Sequence, residues 1–473
     1  MKIHIQNLFL LPALMAALGL IRARQVSAQT FTTLHRFNAD SDGANPQVGV
    51  ILSGNTLYGT ASDGGPGSPN GTVYKVNTDG TGFTVLHSFT FTGQPPTNGD
   101  GAIPYSGLIL SGNTLYGTAN QGGSSANGTV FAINTDGLGF TNLYSFTATP
   151  AENSFTNNDG ANPQAGLTLS GNTLYGTARN GGASGVGTVF AVNTDGSGFT
   201  NLHSFAGGSD GADPWAGLIL SGNLLYGAAR IGGGSGVGTV FAVSTNGSGF
   251  TNLYAFTGGE EGGYPAAGLM LSGNTLYGTA NSGGGSGVGA VFAVNTDGSG
   301  INTVHTFMSS SDGANSYTGL ILLGNTLYGT TSTGGSLGGG TAFAVNTNGT
   351  DFAILNSFST GGSFGDRPRG DFILSGNILY GTTYGGGNSG WGTVFSLSFT
   401  PQLTITSEGS NVILTWPTNV AGFDYSAFML QSTTNLVSPA VWSAISPGPI
   451  VVNAQNTVTN PISGAQCFYR LTQ

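Results

Sequence analysis

The sequence predicts an all-β chain: a seven-bladed β-propeller of four-stranded antiparallel blades, closed by its N-terminal strand, with a small C-terminal β-sandwich. Three observations carry this expectation. The stretch LSGNTLYGTA at residues 271–280 recurs seven times with small changes, anchored on Tyr58, Tyr116, Tyr175, Tyr226, Tyr277, Tyr328 and Tyr380 at spacings of 58, 59, 51, 51, 51 and 52 residues. That is the signature of a repeat array. Each period holds four short apolar runs separated by Gly, Asn and Asp, with no apolar period of 3.6 and no capped helical run. Finally, the array opens with a surplus strand and closes one strand short.

The first 28 residues read as an export signal, with Lys2 in a short n-region, an apolar run over residues 8–21, and Ser27 and Ala28 before Gln29. The run is about 14 residues, where a spanning helix needs roughly 20. Cleavage after Ala28 removes Lys2, Arg22 and Arg24 from ten basic residues against 20 acidic ones, leaving a formal charge of about −13. An acidic chain without a basic stripe is a poor partner for nucleic acid or anionic lipid. The single cysteine, Cys467, excludes an internal disulfide and a cysteine metal cluster. The expected product is a secreted or cell-surface monomer held together by packing, with no membrane insertion after signal cleavage.

Within the fifth repeat, residues 268–272 (GLMLS) form a first strand, Gly273 and Asn274 a tight turn, and residues 275–280 (TLYGTA) a second strand. After the glycine-rich loop 281–289, residues 290–295 (AVFAVN) form a third strand, TDGSG a turn, and residues 301–307 (INTVHTF) a fourth. Third strands such as Val189-Phe190-Ala191-Val192 are apolar on both faces, so both must be covered. Radially stacked blades cover them. The mid-strand glycine of LYGT weakens a strand, and its expected reason is close backbone approach where blades crowd. Residues 31–37 (FTTLHRF) match the fourth strand at 199–205 (FTNLHSF), whereas after the third strand at 392–399 the chain leaves the array. A surplus strand at one end and a missing one at the other suit a latched ring, because an open stack needs capping units instead.

The pattern PxxGLILSGNTLYGTAxxGGxxGxGTVFAVNTDGSGFTNLHSF resembles the GloVer tandem repeat of exported bacterial proteins over roughly residues 31–399. The resemblance implies fold and setting but no shared activity or catalytic residue. The Gly pair after the second strand also resembles kelch repeats, though Phe stands where kelch blades carry tryptophan. From Pro401 the composition changes, and six short strands near 403–406, 412–416, 428–432, 441–445, 450–453 and 468–472 suggest a small sandwich over residues 400–473. Trp416 in LTW resembles the core tryptophan of fibronectin type III domains.

Strand directions place the loops joining strands two to three and four to one on one face, and the repeats differ there. Just after strand two stand Ser62, Asn120, Arg179, Arg230, Asn281, Ser332 and Tyr384; two places before the strand-one glycine (Asp371 in the last repeat) stand Gln47, Tyr105, Gln164, Trp215, Ala266, Tyr317 and Arg369. A uniform scaffold varied on one face reads either as drift or as a binding surface. On the second reading Arg179, Arg230, Trp215, Tyr105, Tyr317, Arg369 and Tyr384 are the candidate ligand contacts, suited to glycan, surface polymer or protein.

Asp42, Asp100, Asp159, Asp210, Glu261 and Asp312 recur on the same face, with Phe364 breaking the series. Repetition favours turn capping over paired catalytic acids, which need unlike environments. The NTDGSG turns lack the alternating oxygens and closing Glu of a calcium loop. His35, His87, His203 and His305 share a position with Tyr144, Tyr254 and Asn356, an interchange foreign to a metal site. No catalytic motif, cofactor cradle or metal set is present. The expectation is a non-catalytic interaction surface; the alternative is an extracellular polysaccharide hydrolase or lyase with carboxylates on the loop face.

Overall fold

The computed structural model describes residues 24–25, 29–90, 97–149, 156–434, 437, 440–461 and 467–472. The predicted signal segment, apart from residues 24 and 25, and its cleavage point lie outside them.

The chain is all-β, built of repeated four-stranded antiparallel sheets. In the fifth repeat Met270–Ser272, Thr275–Ser282, Ala290–Asn295 and Asn302–Thr306 pair in chain order. Gly273 turns the first hairpin at φ +57°, a conformation that only glycine adopts cheaply. Five of the six residues of Ala290–Asn295 are buried, as two covered faces require. The mid-strand glycine has a different cause from the one expected. A Cβ on Gly278 would lie 2.5 Å from Phe292 Cζ and 2.9 Å from Leu269 Cδ2, so side chains of its own sheet, not a neighbouring backbone, exclude it.

Neighbouring sheets are joined in a repeated way. Thr60 Oγ1 donates to the Ser106 carbonyl (2.8 Å), Thr177 to that of Ala216 (3.1 Å) and Thr279 to that of Thr318 (2.9 Å). The same bond runs from Thr382 of the seventh repeat to Val48 of the first, at 2.8 Å. Apolar clusters likewise join each repeat to the next, and a further one joins Tyr380 and Val394 to Val50, Leu57 and Tyr74 of the first repeat.

The N-terminal strand Gln29–Arg36 pairs antiparallel with Thr393–Phe399, from Gln29 opposite Phe399 to Arg36 opposite Thr393. Its register shifts between Thr33 and His35, the same shift that an internal fourth strand makes between Asn201 and His203. The segment therefore serves the seventh sheet as a fourth strand. Upstream, Arg24–Gln25 pairs parallel with Ala353 and Ile354 of the sixth sheet.

Beyond residue 400 a four-stranded sheet holds Thr404–Glu408, Asn411–Pro417, Gln455–Pro461 and Ile450–Val452, and a three-stranded sheet holds Ser443–Ala444, Met429–Thr433 and Phe468–Thr472. Gln455–Pro461 was not among the six expected strands, because its buried residues are Asn456 and Val458 and its text is otherwise polar. Leu414, Trp416, Phe423, Tyr425, Leu430 and Val458 form the interior of this region. It packs against the sixth and seventh repeats: Phe423 stacks on Phe399 at 4.2 Å, and the Tyr328 hydroxyl donates to the Ala421 carbonyl. No helix among the described residues is long and apolar enough to cross a membrane.

Candidate binding cavity

One of the two series in which the repeats differ converges, and of the other only Arg179 reaches the same place. The residue two places before the strand-one glycine lines one cavity of about 630 Å³ in every repeat, from Gln47 in the first to Arg369 in the seventh, and Arg179 joins the wall. The topology produces this convergence. Every repeat reaches its first strand through the same entry segment, so the equivalent entry residues share one cavity.

Side chains on and beside the wall hold one another; of the candidate contacts, Arg230 and Tyr384 stand beside the lining, not in it. Arg369 lies over the rings of Tyr384 (4.3 Å) and Tyr317 (5.2 Å), and its Nη1 donates to Gln47 Oε1 at 3.1 Å. Trp215 has Arg230 at 4.7 Å and Arg179 at 5.3 Å from its ring centre. The two groups touch where Trp215 meets Tyr317 edge to face at 6.1 Å, across the small Ala266 of the intervening repeat. All seven candidate contacts are half-buried, and six of them, all but Tyr105, belong to this cation–aromatic chain. Tyr105 stands on the wall apart from it; burial, then the nearby Asp63 charge, pushes its hydroxyl up, so it remains a donor.

A local backbone rule explains Arg179. The residue preceding each entry segment is left-handed, with φ between +52° and +57° at Asn45, Ile103, Asn162, Asp213, Tyr264, Asn315 and Arg367. Where it is asparagine, its side-chain amide donates to the carbonyl just after strand two of the preceding repeat: Asn45 to Tyr384, Asn162 to Asn120 and Asn315 to Asn281, each at 3.0 Å. Asp213 cannot donate. It accepts instead from Arg179 Nε at 2.6 Å and from Arg230 Nη1 at 3.3 Å, so one carboxylate takes two guanidinium groups.

Among the described lining residues Asp371 supplies the one carboxyl, in the place of the strand-one glycine. Asp371 is exposed to the cavity. Desolvation by the surrounding wall still pushes its carboxyl up, against the lowering effect of the Gly319 N–H at 2.6 Å. It was overlooked as a site residue, although its signal was present: it alone breaks a series of six glycines.

The recurring acids do structural work at the outer ends of the same loops. Asp100 accepts from Thr90 N–H (2.9 Å) and Thr90 Oγ1 (2.7 Å) and pairs with His87 Nε2 (3.1 Å), and Asp159 accepts from the Tyr144 hydroxyl at 2.7 Å. The exchange of His for Tyr on the fourth strand is explained, since either ring presents a donor to this carboxylate. Either also stacks on a phenylalanine of the next repeat: His87 on Phe140 at 3.8 Å, Tyr144 on Phe199 at 3.9 Å, and His35 of the N-terminal strand on Phe83 at 3.6 Å. In the NTDGSG turn Asp297 Oδ1 accepts from Ser299 N–H at 2.9 Å and Ser299 Oγ at 2.6 Å, a local turn bond. Among the described residues no group of three or more His, Cys, Asp or Glu could hold a metal ion.

In sequence the chain matches the Gloeobacter/Verrucomicrobia repeat family over residues 16–156 and 148–336. No curated protein matches it. Among solved structures it is similar to the GH74 enzyme of Niastella koreensis, at 13% identity and a TM-score of 0.49 over 93% of this chain and 72% of that one. It is also similar to a puromycin-hydrolyzing peptidase of Mycobacterium tuberculosis, at 13% identity and 0.49 over 83% of this chain and 62% of that one. Neither likeness bears on activity. The family match spans more than half of the sequence, and the chain belongs to the Gloeobacter/Verrucomicrobia repeat family.

Proposed function

We propose that this is an exported or cell-surface protein whose seven sheets are the blades of a closed, kelch-like propeller, and that it binds a glycan, surface polymer or protein in the axial cavity without catalysis. One observation carries the binding reading: one of the two variable series, joined by Arg179 of the other, lines a single cavity in all seven repeats. Drift would scatter differences over all loops, whereas a scaffold with a site concentrates them. Closure is supported by the N-terminal strand taking the fourth place in the seventh sheet, and by the bond from Thr382 to Val48. We read the region beyond residue 400 as a fibronectin type III-like sandwich, on its four-stranded and three-stranded sheets and the buried Trp416.

The rival reading is a polysaccharide hydrolase or lyase, and as a hydrolase it requires a second carboxyl roughly 5 to 9.5 Å from the first. Asp371 is the one carboxyl among the described residues of the wall. The binding reading is tested on a glycan array with the chain from Gln29 onward, beside Trp215→Ala and Arg369→Ala variants shown by circular dichroism to be folded. Retained glycans that both variants lose support it. A blank array, with the variants indistinguishable from wild type in pull-downs of surface polymer and protein, sinks it.

A further inference from the structure

Basic residues are scarce in this chain, and they are not scattered. From residue 29 onward there are seven: Arg36, Lys75, Arg179, Arg230, Arg367, Arg369 and Arg470. Four of these stand in the cation–aromatic chain beside the cavity, within a body whose formal charge is strongly negative. Scarcity makes the clustering informative, because a neutral ligand requires no cations and a solvated surface would spread them.

The charges on and beside the wall, where Arg179 and Arg369 line the cavity, do not cancel. Arg367 is paired with Asp366 at 3.2 Å. Arg179 and Arg230 share the single carboxylate of Asp213, which leaves one positive charge over. Arg369 has no carboxylate partner among the described residues; one nitrogen is bonded to the neutral Gln47, and its buried Nε has no acceptor. The Nε of Arg230 is likewise buried without an acceptor. With Nε buried, the two terminal nitrogens of Arg369 are what remains for a ligand, and such a pair suits a planar, two-oxygen acceptor. The rings spare Arg369 the entropy of ordering on binding, since Tyr317 and Tyr384 already fix it.

Resting on the binding reading above, we propose that the ligand is an acidic saccharide, its carboxylate held by Arg369 and its hydroxyl-bearing ring lying in the cavity against Tyr105, Gln47 and Gln164. Two features select this class. The wall offers neutral amides and a phenol, groups that match hydroxyls, and a lone carboxyl, Asp371, that also pairs with hydroxyls. The surrounding negative charge disfavours a polyanion as dense as nucleic acid, whereas a sugar acid brings one charge per ring.

The test is titration calorimetry of the full chain with tetragalacturonate, with its fully methyl-esterified neutral form, and with an acidic peptide of equal charge. Variants are Arg369→Gln, Arg369→Lys, and Arg470→Gln as a distant control that stacks on Trp442 in the C-terminal region. Tetragalacturonate is expected to bind, with about a tenfold or greater loss on esterification and on Arg369→Gln, a smaller loss for Arg369→Lys, and none for Arg470→Gln. Equal binding of the acid and its ester, or indifference to both Arg369 variants, overturns the acidic class while leaving saccharide binding intact. Binding of the peptide but not the saccharide overturns the saccharide class. If none of the three probes binds here and the glycan array is also blank, the binding reading fails with the inference.

Discussion

Phe37 provides the sharpest test of how the N-terminal strand is used. It is 2% exposed and packs edge to face on Tyr74 of the first repeat at 5.1 Å. Phe205, at the equivalent place in an internal repeat, is 0% exposed and packs on Phe241 at 5.2 Å. If the N-terminal strand serves as a true fourth strand, Phe37→Ala and Phe205→Ala should cost the same, about 3 to 5 kcal/mol for a buried phenylalanine. Deleting residues 29–38 removes Phe31, Leu34 and Phe37 together, at roughly 1.5 to 3 kcal/mol each. Phe31 is half-buried, so its share lies at the lower end. The total approaches the ~5 to 15 kcal/mol that holds a typical domain folded. It also bares the edge of Thr393–Phe399, an open template for pairing with other chains. Urea unfolding of the two point variants and sedimentation velocity of the deletion measure these effects. A Phe37→Ala cost below about 1 kcal/mol beside a full cost for Phe205→Ala would refute the reasoning, as would a deletion that stays monomeric with an unchanged urea midpoint.

Three further outcomes are expected. Gly278→Ala should destabilise by about 1 to 3 kcal/mol through its clash with Phe292 and recover with Phe292→Leu, while Gly234→Ala, which meets nothing within 4 Å, should be neutral in the same urea assay. Stability should fall as pH drops, first from 6.5 downward, because burial holds His203 below its ordinary value and its neutral form belongs to the fold. It should fall again below about pH 4, because Thr and His donors, overcoming the opposing effect of burial, hold Asp100 below the usual carboxylate range; melting curves across pH should show both limbs, with Asp100→Asn weakening the acid one. Phe423→Ala should loosen the C-terminal region from Phe399 and Tyr328, seen as faster limited proteolysis near residue 400 with little change in unfolding of the repeats.

Much of the fold was legible because its instructions are local. Short apolar runs, SGN turns and the NTDGSG reversal each specify a strand or its end without reference to distant chain, and repetition supplied much the same message seven times. The surplus strand at 31–37 was legible for the same reason: it copies a fourth strand that is complete elsewhere. What depends on packing between elements was not. The mid-strand glycine was seen, but its cause is a Phe ring across the pair, which spacing does not reveal. Gln455–Pro461 was missed because its one buried aliphatic, Val458, is flanked by polar residues that a hydrophobic pattern discards. At the cavity the variable positions could be named in advance, since topology puts them on one face. The stacking of Arg179 on Trp215 and its bond to Asp213, which stands for a bridging asparagine, join different repeats, and the stacking of Arg230 on Trp215 within the fourth repeat follows no sequence spacing either.

The pairing of Gln29–Arg36 with Thr393–Phe399 also sets an order of events. Phe31 and its partner Leu397 stand 366 residues apart, so the first strand of the array to leave a ribosome or a translocation pore is the last to find its place. Until then it is an unpaired apolar strand, and the seventh sheet waits with an open edge. The intervening repeats can form progressively, each on the one before, because their contacts are with near neighbours in sequence. The final step is different in kind. It closes a very long loop, its rate is governed by contact order rather than local propensity, and the interval before it is when the chain is most exposed to aggregation and to proteases.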